Sequence, residues 1–338
     1  FQAEDGIRGV ERSRGLGDVY KRQDWNQARG AWQRNNDIRY LVSDDGEDWD
    51  WDHPVSLTKI LPTRPELAEN DMQEAYGDTF RPYTDLDIQF DPWDGEDNLY
   101  AAFSAMGFWE RPVRADDDVP VDGVTGEHCE LWFWNSVEDT ITLIYDGWYF
   151  NRTDNGGWHN RCGAWRMNAD RPSIAFDSEI PGKIYVVWVN FPKIMEPIYD
   201  DNGDFDHWEY NDLATDTSEA GYKNAEVMVS ISTDRGITWR EPINVTETVW
   251  EEEEAPEPGE CASEAYVSAA YLADDELHIM YVRDTDAGGL PQNEGSATNS
   301  PVIYQHILLD ELPLNRPCLL YTSPSPRDLS TSRMPSSA

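Results

Sequence analysis

Apolar and polar residues alternate along the middle of this chain, and the alternation comes in paired short runs. Val227, Val229 and Ile231 fall on one side of a run from Ala225 to Ser232, the period-two pattern of a half-buried strand. The run ends in Ser-Thr-Asp-Arg-Gly, and the chain resumes at Ile237 in a second predicted strand that extends to Val245. Ser232 and Asp234 carry oxygens that accept nearby backbone N–H groups, and Gly236 supplies the left-handed φ that a tight reversal needs. The segment reads as a hairpin whose turn is held by its own side chains. Further strand–turn–strand pairs occupy 85–105, 171–191 and 265–284. In the first two an Ile-x-Phe-Asp strand end (Ile88, Phe90, Asp91; Ile174, Phe176, Asp177) leads to Leu99-Tyr100 or Ile184-Tyr185. One such pair followed by one hairpin makes a unit of four antiparallel strands. Two units are whole, about 84–147 and 171–246. A hairpin precedes them, and a pair plus the strand in "SPVIYQHILLDEL" follows.

The turn residues Ser232, Asp234, Gly236 and Trp239 have the spacing Ser-x-Asp-x-Gly-x-x-Trp. This resembles the Asp-box, or BNR repeat, of sialidase-like β-propellers. A second copy lies in "VSDDGEDWDWDHPVSLT", where Asp44, Gly46 and Trp49 keep the mutual spacing, Val42 stands in the Ser position and Trp51 competes with Trp49. Asp139 lies midway between Asp44 and Asp234, in a hairpin without the Gly, and reads as a degraded copy. The resemblance implies an all-β fold, a partial β-propeller of four-stranded antiparallel blades, with about three blades of an expected six. An open row of blades leaves unpaired strand edges, so a chain of three should fold poorly or associate through them.

The two ends differ from the interior. Residues 1–23 and 318–338 resemble translated sequencing-adaptor sequence and are set aside as non-native, leaving 24–317 as the propeller segment. Together the ends hold 7 of the 26 Lys and Arg residues but only 5 of the 66 Asp and Glu, so the interior is more acidic than the net charge of −40 suggests. Such a field repels nucleic acid and anionic membranes. Aromatic residues at 12% argue against disorder. No apolar run reaches the roughly 18 residues of a membrane span, so membrane insertion is not expected. Cys129, Cys162 and Cys261 are an odd set with no zinc spacing. A Cys129–Cys162 bridge between neighbouring loops is geometrically open but not expected.

Connection lengths separate two faces. Turns within the strand pairs and within the Asp-box hairpins are short and share one face, where the Asp-box is structural. The connections 59–83, 106–128, 148–170, 192–224, 247–263 and 285–300 are long and share the other. Long loops in a compact fold usually carry function or are disordered. This face holds Trp109, Trp148, Trp158 and Trp165, whose rings serve either as sugar-stacking platforms or as covers for the blade ends. Asp200, Asn202, Asp204 and Asp206 place oxygens at spacing two, as a calcium loop does, although Gly203 departs from the EF-hand pattern. Arg81 and Arg171 each stand at the entrance of a first strand, with Asp85 close by. There they would clamp a ligand carboxylate, or simply pair with Asp78, Asp85 or Asp170.

Sialidases use an arginine cluster for the substrate carboxylate, with an Asp acid/base and a Tyr–Glu pair. Here Phe80-Arg81-Pro82 lacks the Ile of the family's Phe/Tyr-Arg-Ile-Pro signature, and no Tyr–Glu pair is assignable. The leading expectation is therefore a secreted or cell-surface propeller that recognises glycan or extracellular protein through its long-loop face, with calcium as its one candidate cofactor. An exo-sialidase or related glycoside hydrolase, completed by missing blades, is the alternative. A purely architectural surface propeller is the second.

Overall fold

The alternating runs form β-strands, and the described residues include no α-helix. The computed structural model describes residues 8–9, 17–22, 37–43, 45–58, 79–93, 98–110, 122–148, 162, 167–191, 195–199, 205–210, 216–250, 254–290, 294–310 and 312. A first sheet holds β1 (Arg8–Gly9), β2 (Gly17–Arg22), β3 (Asp37–Val42) and β4 (Val55–Ser56). Its first two strands come from the terminal segment set aside above; β1 pairs antiparallel with β2, and β2 with β3. A second sheet is the antiparallel meander β5 (Thr79–Phe90), β6 (Leu99–Glu110), β7 (Asp122–Asn135) and β8 (Thr140–Trp148).

The third sheet repeats the meander with β9 (Ala169–Asp177) and β10 (Ile184–Asn190), then β13 (Glu226–Ser232) and β14 (Ile243–Asn244); between them β11 (Met195–Tyr199) and β12 (Phe205–Tyr210) form a hairpin of their own. The fourth has β15 (Ser263–Ala269), β17 (Glu276–Asp284) and β18 (Val302–Leu308), while β16 (Leu272–Ala273) reaches across to pair parallel with β9.

Three features differ from the sequence reading. The strand expected over 237–245 is only β14, because Pro242 has no N–H to give and a single backbone bond, Arg240 N–H to Ile231 C=O, holds the segment before it. Much of the connection 106–128 is strand: β6 and β7 extend past the core and stay paired as far as Glu110 and Asp122. The connection 192–224 likewise contains the β11–β12 hairpin.

Successive sheets stack face to face, and β10 shows why the sequence does this. Ile184, Val186 and Trp188 point to the second sheet and pack with Tyr100, Ala102, Leu131 and Phe133. Tyr185, Val187 and Val189 point the other way and pack with Leu277, Ile279 and Tyr281. A strand buried on both faces must be apolar without interruption, as Ile-Tyr-Val-Val-Trp-Val is. Leu99, Ala101 and Phe103 of β6 likewise meet Ile38 and Leu57 of the first sheet. Neighbouring sheets also join through their first strands. Ile174 N–H donates to Asp87 Oδ2 at 2.7 Å, and Ala269 N–H donates to Ser173 Oγ at 3.1 Å.

Candidate functional site

The stack has two ends of opposite character. At the short-turn end, the Ile-x-Phe-Asp repeat closes on itself. Tyr100 O–H donates to Asp91 Oδ2 at 3.1 Å, and Tyr185 O–H donates to Asp177 Oδ2 at 3.0 Å. Each aspartate also meets a cation: Arg235 Nη1 lies 3.1 Å from Asp91 and Lys183 Nζ 2.9 Å from Asp177. Burial opposes ionisation of Asp177, but Lys183, the N–H groups of Ile180 and Glu179, and Tyr185 together hold its carboxyl below the usual range.

The turn after β13 is built the same way. Ser232 Oγ accepts from Gly236 N–H at 2.8 Å, and Asp234 Oδ1 accepts from Thr238 N–H at 2.9 Å. The turn also grips the second sheet. Asn135 donates to Arg235 C=O at 2.8 Å, Trp239 Nε1 donates to Thr142 Oγ1 at 3.1 Å, and the Trp239 ring packs edge-on against Phe133. In the turn of 43–49, read from the sequence as a second Asp-box copy, the bonds are shifted by one residue. Ser43 Oγ accepts from Gly46 N–H at 2.9 Å, and Asp45 Oδ1 accepts from Glu47 and Asp48. Its turn is one residue shorter than that of 232–239, so Ser43 and Asp45 make the bonds assigned by spacing to Val42 and Asp44; Asp44 itself lies outside the described residues. Trp49 is half-buried and Trp51 exposed. At the midway turn Asn135, not Asp139, accepts the N–H groups of Val137 and Glu138.

The long-connection end is organised by a device that alternation hides. The first strand of each of the last three sheets carries extra residues against the second strand. Pro82 and Leu86 face Ala105 and Phe103; Asp170 and Ser173 face Val189 and Val187; Ala265 and Ser268 face Val282 and Met280. Bulges turn side chains out of the pleat. Here they present Asp85, Arg171 and Tyr266 at one level. Arg171 and Tyr266 hold left-handed φ values of 54° and 57°, a conformation that costs a non-glycine residue about 1 kcal/mol or more.

The three residues form one line. Asp85 hydrogen-bonds the Asp170 carboxyl. Arg171 Nη1 lies 3.3 Å from Asp170 Oδ2, and its guanidinium stacks 4.1 Å from the centre of the Tyr266 ring. Burial, then the Asp85 carboxyl beside it, push Asp170 well above the usual carboxylate range. Two carboxyl groups in hydrogen-bond contact share one proton. Cys129 adjoins them, its thiol donating to Ala169 C=O at 2.8 Å and its pKa raised by burial and the nearby acids.

A second carboxyl pair bridges the third and fourth sheets. Thr248 Oγ1 lies 3.0 Å from Glu226 Oε1 and 2.9 Å from Glu264 Oε2. A hydroxyl has one proton to give, so the two acids compete for that of Thr248. Burial, and then the charge of Glu226, raise Glu264 to about 7, against the pull of Thr248 and Arg283. Glu130, opposite Ala105 on β7, and Glu226, opposite Asn190 on β13, occupy the same position in their sheets.

Of the residues nominated from sequence, Asp85 and Arg171 are brought together. Arg81, Trp109 and Trp148 lie on strands, but their side chains are outside the described residues, as are Trp158 and Trp165 altogether. So are Asp200, Asn202 and Asp204, in the turn between β11 and β12, and the side chain of Asp206 on β12. Among the described residues, no group of three or more His, Cys, Asp or Glu is placed to hold a metal ion. Cys129, Cys162 and Cys261 are free thiols. Sequence reasoning had Asp170 as a pairing partner for the arginines, which it is for Arg171, but missed Tyr266 and the Glu226–Glu264 pair. Aligning the three first strands would have set Tyr266 against Arg171.

No family model and no curated protein matches this chain. Among solved structures it is similar to a protein described as part of a BT0996 RGII complex, with a TM-score of 0.34 and 10% identity, covering 90% of this chain and 70% of that one. At that TM-score the likeness carries no argument about fold or function.

Proposed function

We propose that the chain is part of a sialidase-like β-propeller, secreted or displayed at a cell surface, that recognises glycan through its long-connection face. The propeller reading is supported by four-stranded meanders that stack in chain order and meet at their first strands. Sheets that pack face to face and are hydrogen-bonded along their first strands would fan about an axis lined by those strands. The observation that carries the function is the Asp85–Asp170–Arg171–Tyr266 line on those strands. It combines acceptors, a guanidinium fork and an exposed aromatic face, the three elements that hold a sugar ring and an acidic substituent.

A hydrolytic role in which Asp85 and Asp170 act as a two-carboxyl pair is not favoured; the tyrosine-nucleophile chemistry of sialidases lies outside this comparison. Glycosidase carboxyls stand about 5–9.5 Å apart so that the scissile bond fits between them, whereas Asp85 and Asp170 hydrogen-bond each other. Calcium at Asp200, Asn202, Asp204 and Asp206 rests on their spacing alone.

The test is a glycan-array screen of the full chain with acidic and neutral sugars, repeated with Arg171→Ala and Tyr266→Ala. The expected result is binding to acidic glycans that falls at least tenfold in both variants. An array with no hits would favour an architectural propeller, and binding unchanged in the variants would move the site elsewhere.

A further inference from the structure

In the first three sheets the third strand carries a fourth along its outer edge: β4 on β3, β8 on β7 and β14 on β13. β18 holds the third place in the last sheet and carries none among the described residues. Arg283 N–H donates to Pro301 C=O at 2.9 Å and Leu309 N–H to Asp275 C=O at 3.1 Å, so the odd-numbered residues of β18 bond inward to β17. By the alternation of an antiparallel ladder, Val302, Tyr304, His306 and Leu308 turn their N–H and C=O groups to the open side. Val302 and Tyr304 are each 64% exposed. Open edges are ordinarily blunted by charged side chains or proline. Val-Ile-Tyr-Gln-His-Ile-Leu has no Lys, Arg, Asp, Glu or Pro, in a chain of net charge −40.

The occupied edges show what fits. Leu57 N–H donates to Ile38 C=O at 2.8 Å, and Ile38 N–H donates to Thr58 Oγ1 at 2.8 Å. Val245 N–H donates to Val227 C=O at 2.9 Å, and Val227 N–H donates to Thr246 Oγ1 at 3.0 Å. The two segments share a pattern, Pro-Val-Ser-Leu-Thr at 54–58 and Pro-Ile-Asn-Val-Thr at 242–246. Val302 is the counterpart of Val227. It stands opposite Val282 as Val227 stands opposite Val189, and both of those partners face the bulge of a first strand.

We infer that the edge of β18 binds an extended segment of a separate polypeptide, antiparallel, with the pattern Pro-apolar-polar-apolar-Thr. Its threonine hydroxyl accepts Val302 N–H, and the apolar residue before it donates to Val302 C=O. Its first apolar residue pairs with Tyr304, as Ile243 pairs with Val229. Its leading end lies beside Leu308, where Glu276 stands opposite and Asp310 follows. A basic residue suits that end, as Arg240 leads the segment on β13. A second copy of this chain fits less well. Its own 54–58 and 242–246 segments are already paired, its β18 lacks the pattern, and its net charge of −40 repels.

The probe is a fluorescein-labelled peptide with the sequence of residues 238–248, titrated with the full chain and read by anisotropy. Saturable binding is expected, and none from a scrambled peptide. Methylating the peptide's backbone nitrogen at Val245 removes the donor to Val302 and is expected to weaken binding at least tenfold; Thr246→Val in the peptide should weaken it several-fold. In the protein, Tyr304→Pro removes one outward N–H and no bond to β17, a substitution that edge strands tolerate. It is expected to weaken binding at least tenfold with the urea midpoint nearly unchanged. Equal binding of the scrambled peptide, or undiminished binding by Tyr304→Pro, would overturn the assignment. Amide exchange identifies the occupant: Tyr304 and His306 should exchange fast in the free chain and slowly with peptide, while Ile303 and Gln305 stay slow in both. Slow exchange at Tyr304 and His306 in the free chain at every concentration would give the edge to the chain's own residues. Slowing that grows with chain concentration would give it to a second copy, and either result overturns the inference. β15, which carries Tyr266, lies at the opposite edge of the sheet, so failure here leaves the glycan reading standing.

Discussion

The short-turn end and the long-connection end of the sheets use the same residue types to opposite effect. At the turn end, Asp91, Asp177 and Asp234 each face hydroxyls, N–H groups or a cation. At the connection end carboxyl meets carboxyl, Asp85 against Asp170 and Glu226 beside Glu264; a buried oxygen without a donor occurs at both ends, Asp91 Oδ1 at the one and Asp286 Oδ1 at the other. Buried acids beside acids weaken a fold. Left-handed non-glycine residues occur at both ends, Arg171 and Tyr266 in the bulges and Asp139 and Arg235 in the turns, so it is the carboxyl pairs that locate the part of the molecule not arranged for stability. Strained and electrostatically frustrated groups cluster at sites of function.

The largest effect that separates the ends is expected at Gly236. Its φ is 84°, and an added Cβ would collide with the Phe133 ring, which is buried between the second and third sheets. Gly236→Ala should therefore cost about 3 kcal/mol or more, read as a lower urea midpoint of the full chain. A shift below about 1 kcal/mol would mean that the turn does not clamp the two sheets.

The next effect depends on pH and belongs to the other end. Glu264 titrates at about 7 when folded, against an ordinary value of 4.5. A carboxyl whose folded pKa is raised favours the folded state only while protonated. Its contribution is complete below about pH 4.5, declines as pH rises and is gone above about pH 7, a loss on the order of 3 kcal/mol. The groups that face it are Glu226, Arg283, Tyr281 and Thr248. Glu264→Gln mimics the protonated form and should flatten stability between pH 5 and 7. Parallel pH curves for the two proteins would show that Glu264 does not carry the dependence.

How much of this was legible depends on whether the signal is local. The hairpin turn of 232–239 was readable because Ser232, Asp234 and Gly236 bond within eight residues of each other. The Ile-x-Phe-Asp repeat was visible, and its purpose, the Asp–Tyr bond across a hairpin, follows from the same short range. The turn of 43–49, read as a second Asp-box copy, was misplaced by one residue because the spacing rule assumes a turn of fixed length. The bulges were hidden because an inserted residue resets the alternation without changing composition. The carboxyl pairs were hidden because Glu226 and Glu264, or Asp85 and Asp170, are brought together only when sheets stack.

A smaller effect is expected from Asp234→Ala. It removes the acceptor for Thr238 N–H and O–H, and should cost about 1–2 kcal/mol, as loss of a capping side chain does. Ligand binding measured below the melting point should be unchanged. A binding loss without a stability loss would transfer function to the turn end and reverse the comparison.

The smallest change in stability is expected where the change in function is largest, at Arg171→Gly. Glycine adopts the φ of 54° without strain, which returns about 1 kcal/mol. The lost stacking on Tyr266 costs about 0.5–1 kcal/mol at a partly exposed site. The lost contact with Asp170 costs little, because burial and the neighbouring Asp85 push that carboxyl towards its neutral form, which presents no full charge to the guanidinium. These terms nearly cancel, so the urea midpoint should move by less than about 0.5 kcal/mol equivalent, while acidic-glycan binding falls at least tenfold. Arg171→Ala keeps the same losses without the relief of strain and should be less stable than the glycine variant. If alanine proves the more stable of the two, Arg171 is not strained as its backbone indicates, and the bulge is no more than an irregularity of the strand.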